Sequence, residues 1–312
     1  MPSTRRRKIA LRGLALVLAR PQDEVVSESS FPPADAAGAQ PTPPTPPPPV
    51  HLTAADVYIN LGDSVAAGYN ASPRDRLSYK KLLLANDNAT YPTWSGRDLA
   101  TRFPGIRYYD YAQSGADSKD VLQSQVPSAK NVSASVGVLV VVHVGGNDLN
   151  DDFAASLLDQ GRTLNANLYQ IATQLRNNPR WSGLPVQVVI ANFYEPTDDV
   201  GTIFGSGYEG SVDDSTVCNL VKNPLSGAFR GTYYSFIGNV ATASDDTGST
   251  LVDVHDHFLG HAFWHLHPEK PFYDAADPTL WFSMDCTHAA NRGHHELRRL
   301  FWQAVTDEWY AG

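Results

Sequence analysis

Cysteine is nearly absent: Cys218 and Cys286 are the only two in 312 residues. That is too few for a disulfide scaffold, and they lack the paired spacing of a zinc site, so one bridge or two free thiols remain. Long basic runs are also missing. With 24 basic against 33 acidic residues the formal net charge is -9. This argues against nucleic acid or an anionic membrane surface as the main partner, because both select for clustered Lys and Arg. No apolar stretch approaches the ~20 residues a transmembrane helix needs. What is present is core-forming: 42% of residues are hydrophobic and 18% charged, which suits one large or two small globular domains.

Residues 1–20 hold Arg5, Arg6 and Arg7, then Ile9-Ala10-Leu11 and the run Leu14 to Ala19. This resembles the basic and short apolar regions of an export signal, which would make the protein secreted or periplasmic. Arg12 interrupts the apolar run and no small-x-small cleavage site follows Leu18, so a basic tail remains the rival reading. Residues 21–50 are rich in Ala, Ser and Pro and end in Pro41 to Pro49, the composition of an extended, semi-rigid linker. The catalytic-sized folded unit is expected over residues 51–312.

Within that unit the apolar runs are short and separated by helical stretches, the pattern of buried parallel strands with crossover helices. The runs are Val57 to Leu61, Ile106 to Tyr111, Val136 to Val144, Val186 to Phe193 and Leu251 to Val254. Helices are predicted over Trp94 to Phe103, Leu157 to Arg176 and Asn291 to Tyr310, the last with Leu297, Leu300, Phe301, Val305 and Trp309 at helical spacing. Five strands alternating with helices predict a doubly wound α/β sandwich. Such sheets carry their sites at the carboxyl ends of the strands, so the residues just after each run are where chemistry is expected.

Gly62-Asp63-Ser64 follows the first run, placing a hydroxyl at the sheet edge for attack on a carbonyl. Taken alone, the tripeptide is also a common turn. Ser114-Gly115 follows the second run, with an N–H that can face an oxyanion, and Gly145-Gly146-Asn147-Asp148 follows the third, with a side-chain amide donor. Each has an ordinary turn as its alternative. Far away, Asp285-Cys286-Thr287-His288 precedes the final helix. A serine nucleophile requires a base of near-neutral pKa, and the base requires an acceptor that fixes its tautomer. Four such pieces in order weigh more than any one of them.

Together these blocks resemble those of the SGNH hydrolase superfamily, the GDSL esterases and lipases, over most of 51–312. The resemblance implies a flavodoxin-like three-layer α/β/α sandwich with a central, mostly parallel five-stranded sheet. It also implies a carboxylic ester hydrolase that works through an acyl-enzyme, without metal or other cofactor. Ser64 falls on the nucleophile, Asp285 and His288 on the rest of the triad, and Ser64, Gly115 and Asn147 on the oxyanion hole, with Asn291 and Gly293 at the usual offset. Two positions depart from the pattern: Gln113-Ser114 stands where Asn commonly precedes the second block, and Ala289 stands where proline commonly follows the histidine.

His255, His257, His261, His265 and His267 crowd one stretch, but their spacing matches no metal motif. The aromatics from Phe258 to Phe282, including Trp264 and Trp281, are read as a pocket lining or as packing on the body. Glu195 to Asp246 is a long insertion expected to shape the site or to run through solvent with one or two helices. A Cys218–Cys286 bridge would tie that insertion to the loop between acid and base. The expected substrate is a small-molecule or lipid ester. A phospholipase or lysophospholipase and a carbohydrate deacetylase stay open as alternatives, and a non-catalytic binding module comes after them because no reacting group is missing. Oligomeric state is not legible.

Overall fold

The computed structural model describes residues 46–150, 153–222 and 227–310. The Arg-rich start and most of the proline-rich segment lie outside these residues. Among them, β1 (Val57–Gly62), β2 (Arg107–Asp110), β3 (Val138–His143), β4 (Val186–Ala191) and β5 (Thr250–Val252) form one sheet in the order β2-β1-β3-β4-β5, every neighbouring pair parallel. Each strand falls on one of the five apolar runs. The last run is cut short because Val254 turns into a helical segment, its N–H donating to Asn192 Oδ1 at 2.6 Å.

Helices α1 (Ser64–Ala67), α2 (Tyr79–Leu84), α3 (Arg162–Arg176), α4 (Thr216–Val221), α5 (Gly227–Thr247) and α6 (Asn291–Thr306) follow or cover the strands. Strand side chains alternate between faces, and both faces are buried here, which is why the runs are continuously apolar. Ile59, Val140 and Val188 pack on Leu168 and Ile171 of α3 and on Phe236 and Val240 of α5. Their neighbours Tyr58, Val141 and Val189 belong to the other layer, with Leu83 of α2 and Leu297, Phe301 and Val305 of α6. The result is the three-layer α/β/α sandwich expected from the sequence.

Two predicted helices are broken for local reasons. In place of one helix over Leu157 to Arg176, a segment Phe153–Asp159 is followed by α3. Between them Gly161 has φ +79°, and a Cβ there would lie 3.0 Å from Phe236 Cα, so close packing of α5 holds the break. Trp94 to Phe103 is a 3-10 turn, Pro92–Trp94, and a helical turn, Leu99–Arg102, restarted by the Asp98 side chain capping Thr101 N–H at 2.8 Å. The final helix ends at Thr306, where Asp307 adopts φ +61°, and Trp309 is half exposed beyond it.

At the opposite edge of the sheet from the site, Asp56 fastens three strands together. One oxygen accepts Val136 N–H at 3.0 Å and Gly137 N–H at 3.2 Å. The other accepts Ser135 N–H at 3.0 Å and an Arg107 guanidinium N–H at 2.9 Å. Burial alone would raise this carboxyl, but the hydrogen bonds from Val136, Gly137 and Ser135 outweigh it and hold the pKa at about 2. A depressed folded pKa contributes stability that is present above the unfolded value of 3.8 and is lost as pH falls toward 2. Asp56→Asn is therefore expected to lower stability by about 1–3 kcal/mol at pH 7 and to flatten its pH dependence in the acid range. Unfolding midpoints of both proteins at neutral pH and across the acid range check this, and parallel curves would show that the charge contributes nothing.

Candidate active site

Strand order places the gap between β1 and β3 where the chain's winding reverses, and ligands in such sheets bind at that switch point. Both strands deliver candidate residues there. Gly62 ends β1 with φ +140° and lies so close to β3 that a Cβ would be 2.0 Å from the His143 carbonyl oxygen, so only glycine permits the turn into α1. Asp63 then caps α1, its Oδ1 accepting Val65 N–H at 2.9 Å, and Ser64 opens the helix at the sheet edge. Burial pushes the Asp63 carboxyl up to about 7, against the Val65 and Ala66 N–H groups and His288, with Asp148 adding to the rise.

Asp285 and His288 sit at the tip of a hairpin closed by a Phe282–Ala289 bridge. His288 Nε2 lies 2.7 Å from Ser64 Oγ, and His288 Nδ1 lies 2.8 Å from Asp285 Oδ2. The other carboxylate oxygen, Oδ1, accepts the backbone N–H groups of Thr287 at 3.1 Å and His288 at 2.9 Å. Burial alone would raise Asp285, yet its bonds from the His288 ring and backbone and from Thr287 hold it below the usual carboxylate range. An ionised Asp285 favours the tautomer with hydrogen on Nδ1, leaving Nε2 to accept the Ser64 hydroxyl proton.

The two remaining candidates lie on neighbouring loops. Asn147 Nδ2 donates to the Ala116 carbonyl at 2.9 Å, which ties the turn after β3 to the Gly115–Ala116 turn after β2. Asp148 holds the same junction, accepting Ser118 N–H at 2.8 Å and the Ser118 hydroxyl, and burial pushes its carboxyl up to about 6. Ser64 and Asn147 also share a cavity of about 60 Å³ walled by Phe193, Tyr194, Val217 and Tyr233.

Cys218 and Cys286 form a disulfide, so α4 of the insertion is tied to the hairpin that carries Asp285 and His288. Cys286 has φ +58°, a strained conformation for a residue with a side chain. The bridge and the Ser215 hydroxyl, which donates to the Asp285 carbonyl at 3.1 Å, hold it in place. The unusual Ala289 has a role too: its N–H donates to the Tyr194 hydroxyl at 2.9 Å, a bond that proline has no hydrogen to make. Gln113 N–H donates to the Gly62 carbonyl at 3.0 Å, docking the second block against the first.

Sequence reasoning missed the contribution of Tyr69 and Asn70. Asn70 Nδ2 donates to Asp285 Oδ2 at 2.7 Å, the oxygen that also faces His288. Its φ of +62° falls in the region where Asn is favoured among residues with side chains. The Tyr69 ring lies 4.4 Å from the His288 ring. Nothing in the stretch Gly68 to Pro73 marks either residue. The five crowded histidines each have a partner: His255 faces Asp256 at 2.8 Å, His257 faces Glu296 at 3.1 Å, His261 stacks on Trp281 at 3.5 Å, His265 faces the Ala262 carbonyl at 2.7 Å, and His267 faces Glu269 at 3.0 Å.

Residues 61–275 match the family model described as GDSL-like lipase/acylhydrolase. That span includes Ser64, Gly115 and Asn147 and ends before Asp285. Among solved structures, an acetylxylan esterase from Geobacillus stearothermophilus is similar with TM-score 0.50 and 16% identity, over 82% of this chain and 97% of its own. A second acetyl xylan esterase gives TM-score 0.50 at 15% identity over 80% and 99%. An extracellular lipase from Streptomyces rimosus gives 0.45 at 18% identity over 80% and 100%. At these identities the likeness speaks for the fold alone. No curated protein matches the chain.

The bridge closes a loop spanning 68 residues of sequence, for which the chain-entropy account gives a stabilisation of about 4 kcal/mol. Cys218→Ser is expected to lower the thermal midpoint of the purified protein by several degrees, and reductant should do the same to the wild type. Calorimetry with and without dithiothreitol measures both. A wild type indifferent to reductant would show that the bridge does not constrain the fold.

Proposed function

The chain belongs to the GDSL-like lipase/acylhydrolase family, and from that premise we propose that it hydrolyses carboxylic esters through Ser64, His288 and Asp285. The observation that carries the proposal is the continuous line of contacts, 2.7 Å from Ser64 Oγ to His288 Nε2 and 2.8 Å from His288 Nδ1 to Asp285 Oδ2. Ser64 Oγ attacks the ester carbonyl as its proton passes to His288 Nε2, and Asp285 stabilises the imidazolium. The Ser64 and Gly115 N–H groups and Asn147 Nδ2 receive the developing oxyanion. The Asn147 amide has two hydrogens, so one can serve Ala116 while the other serves substrate. Collapse breaks the ester C–O bond, and the alcohol leaves with the proton from His288. Water then attacks the acyl-enzyme by the same route and releases the acid.

The disulfide and the Arg-rich start over residues 1–20 together support export, to the cell exterior or the periplasm. Among the described residues no helix is long and apolar enough to cross a membrane. The substrate in this reading is a small-molecule ester.

Release of p-nitrophenol from its acyl esters tests the reaction. Ser64→Ala is expected to abolish it, and Asn147→Ala to lower kcat by about 10²–10³ while the protein stays folded. Asn70→Ala is expected to lower kcat by about 10-fold with little change in KM, since a lost hydrogen bond to a charged group is worth ~1.5–3 kcal/mol and only part of that is specific to the transition state. Full activity in Ser64→Ala would refute the proposal.

A further inference from the structure

We propose that the cavity beside Ser64 is an acyl pocket, that it admits only short acyl groups, and that the Tyr233 ring is the wall that sets their length. The inference rests on the ester-hydrolase reading and adds the class of acid to it. At about 60 Å³, well under the roughly 150 Å³ of a cavity that takes up benzene, the cavity has room for a few non-hydrogen atoms beyond the acyl carbon. An acetyl to butanoyl group fits, whereas a fatty acyl chain does not.

The cavity belongs to the acid rather than to the alcohol of the ester. Ser64 and Asn147 line it, so the acyl carbon and its oxyanion lie at its mouth. The leaving oxygen must instead lie within reach of His288 Nε2 to take its proton. His288 is not part of the lining, and its outer face is flanked by the half-exposed Tyr69. The alcohol therefore leaves toward solvent, and the acyl chain points inward.

Inward, the pocket ends on rings that are fixed. Phe193 and Tyr233 are buried and pack edge to face with centroids 5.2 Å apart. The Tyr233 hydroxyl also donates to the Phe193 carbonyl, so the ring is held at both ends. Behind it lies a second, smaller cavity of about 10 Å³, whose lining includes the charged or titratable side chains of Glu195, Asp199, Arg230 and His255 beside Tyr234. Tyr233 lines both, so its ring is the partition between them. A longer chain meets the ring first and carboxylates next. Val217 forms a side wall that is only half-buried, and the Cys218–Cys286 bridge beside it anchors α4.

Chain-length profiles decide the matter, with p-nitrophenyl acetate, butanoate, hexanoate, octanoate and palmitate as probes and the full chain as enzyme. The wild type is expected to have its highest kcat/KM between acetate and butanoate and to lose about 10-fold or more by octanoate, since misfit by a methylene typically costs about 10-fold or more. Tyr233→Ala is expected to raise the octanoate-to-acetate ratio by about 10-fold or more, because the vacated ring volume takes further carbons, and Tyr233→Phe to return that ratio to the wild-type value. Val217→Phe, at a half-exposed wall that tolerates a larger side chain, is expected to keep acetate and lose butanoate. A wild type that prefers octanoate or palmitate overturns the inference. So does an unchanged profile in folded Tyr233→Ala and Val217→Phe. In either case, hydrolysis that depends on Ser64 leaves the ester-hydrolase reading standing. No Ser64-dependent release from any of these esters overturns both.

Discussion

Ser64 and His288 are 224 residues apart in sequence and 2.7 Å apart in space, and most of the architecture can be understood as the means of keeping that contact. Parallel strands fix Ser64 at one edge of a rigid sheet. The hairpin of Asp285 and His288, closed by a bridge outside the main sheet, is held from several sides. Tyr194, after β4, accepts Ala289 N–H. Asn291, at the start of α6, accepts Ser72 N–H at 2.8 Å. Asn70 reaches Asp285 itself, and the bridge to Cys218 holds the remaining side. No one of these ties would fix an imidazole to a fraction of an ångström, but four from different directions leave it little freedom.

The same arrangement explains what the sequence made legible. The five strands could be read because burial on both faces makes their apolar runs continuous, as in Val138 to Val142. The candidate site could be sought in the sequence because a parallel sheet gathers the loops after its strands at one edge, and Ser64, Gly115 and Asn147 each follow a run. Helix ends were harder. Gly161 breaks a predicted helix because of where Phe236 packs, and no local pattern carries that information. Asn70 was invisible for a related reason: its partner is 215 positions away, and an Asn in the short stretch between Gly68 and Pro73 resembles any turn. The departure at Ala289 was visible, but its meaning came only with Tyr194 poised to accept the N–H.

The insertion from Glu195 to Asp246 shows how a long excursion becomes part of a site. Its first turn is organised by acids that accept backbone hydrogens: Glu195 takes Thr197 N–H at 2.7 Å, and Asp198 takes those of Gly260, Ala262 and Trp264 at 2.8 to 3.0 Å. Burial pushes the Asp198 carboxyl up to about 7, opposed by those N–H groups. The turn thereby seats the aromatic stretch around Trp264 against the body, leaving α4 and α5 to supply Val217 and Tyr233 to the cavity.

Tyr69 lies beside the His288 imidazole, half exposed, with its ring centroid 4.4 Å from that of His288 and its plane tilted by 45°. In the proposed reaction His288 gains a positive charge each time it takes the Ser64 proton. A tyrosine ring at this distance would bring its π density within reach of that cation. The transient imidazolium would then be neutralised along one axis by a carboxylate and screened from water along another by a π surface.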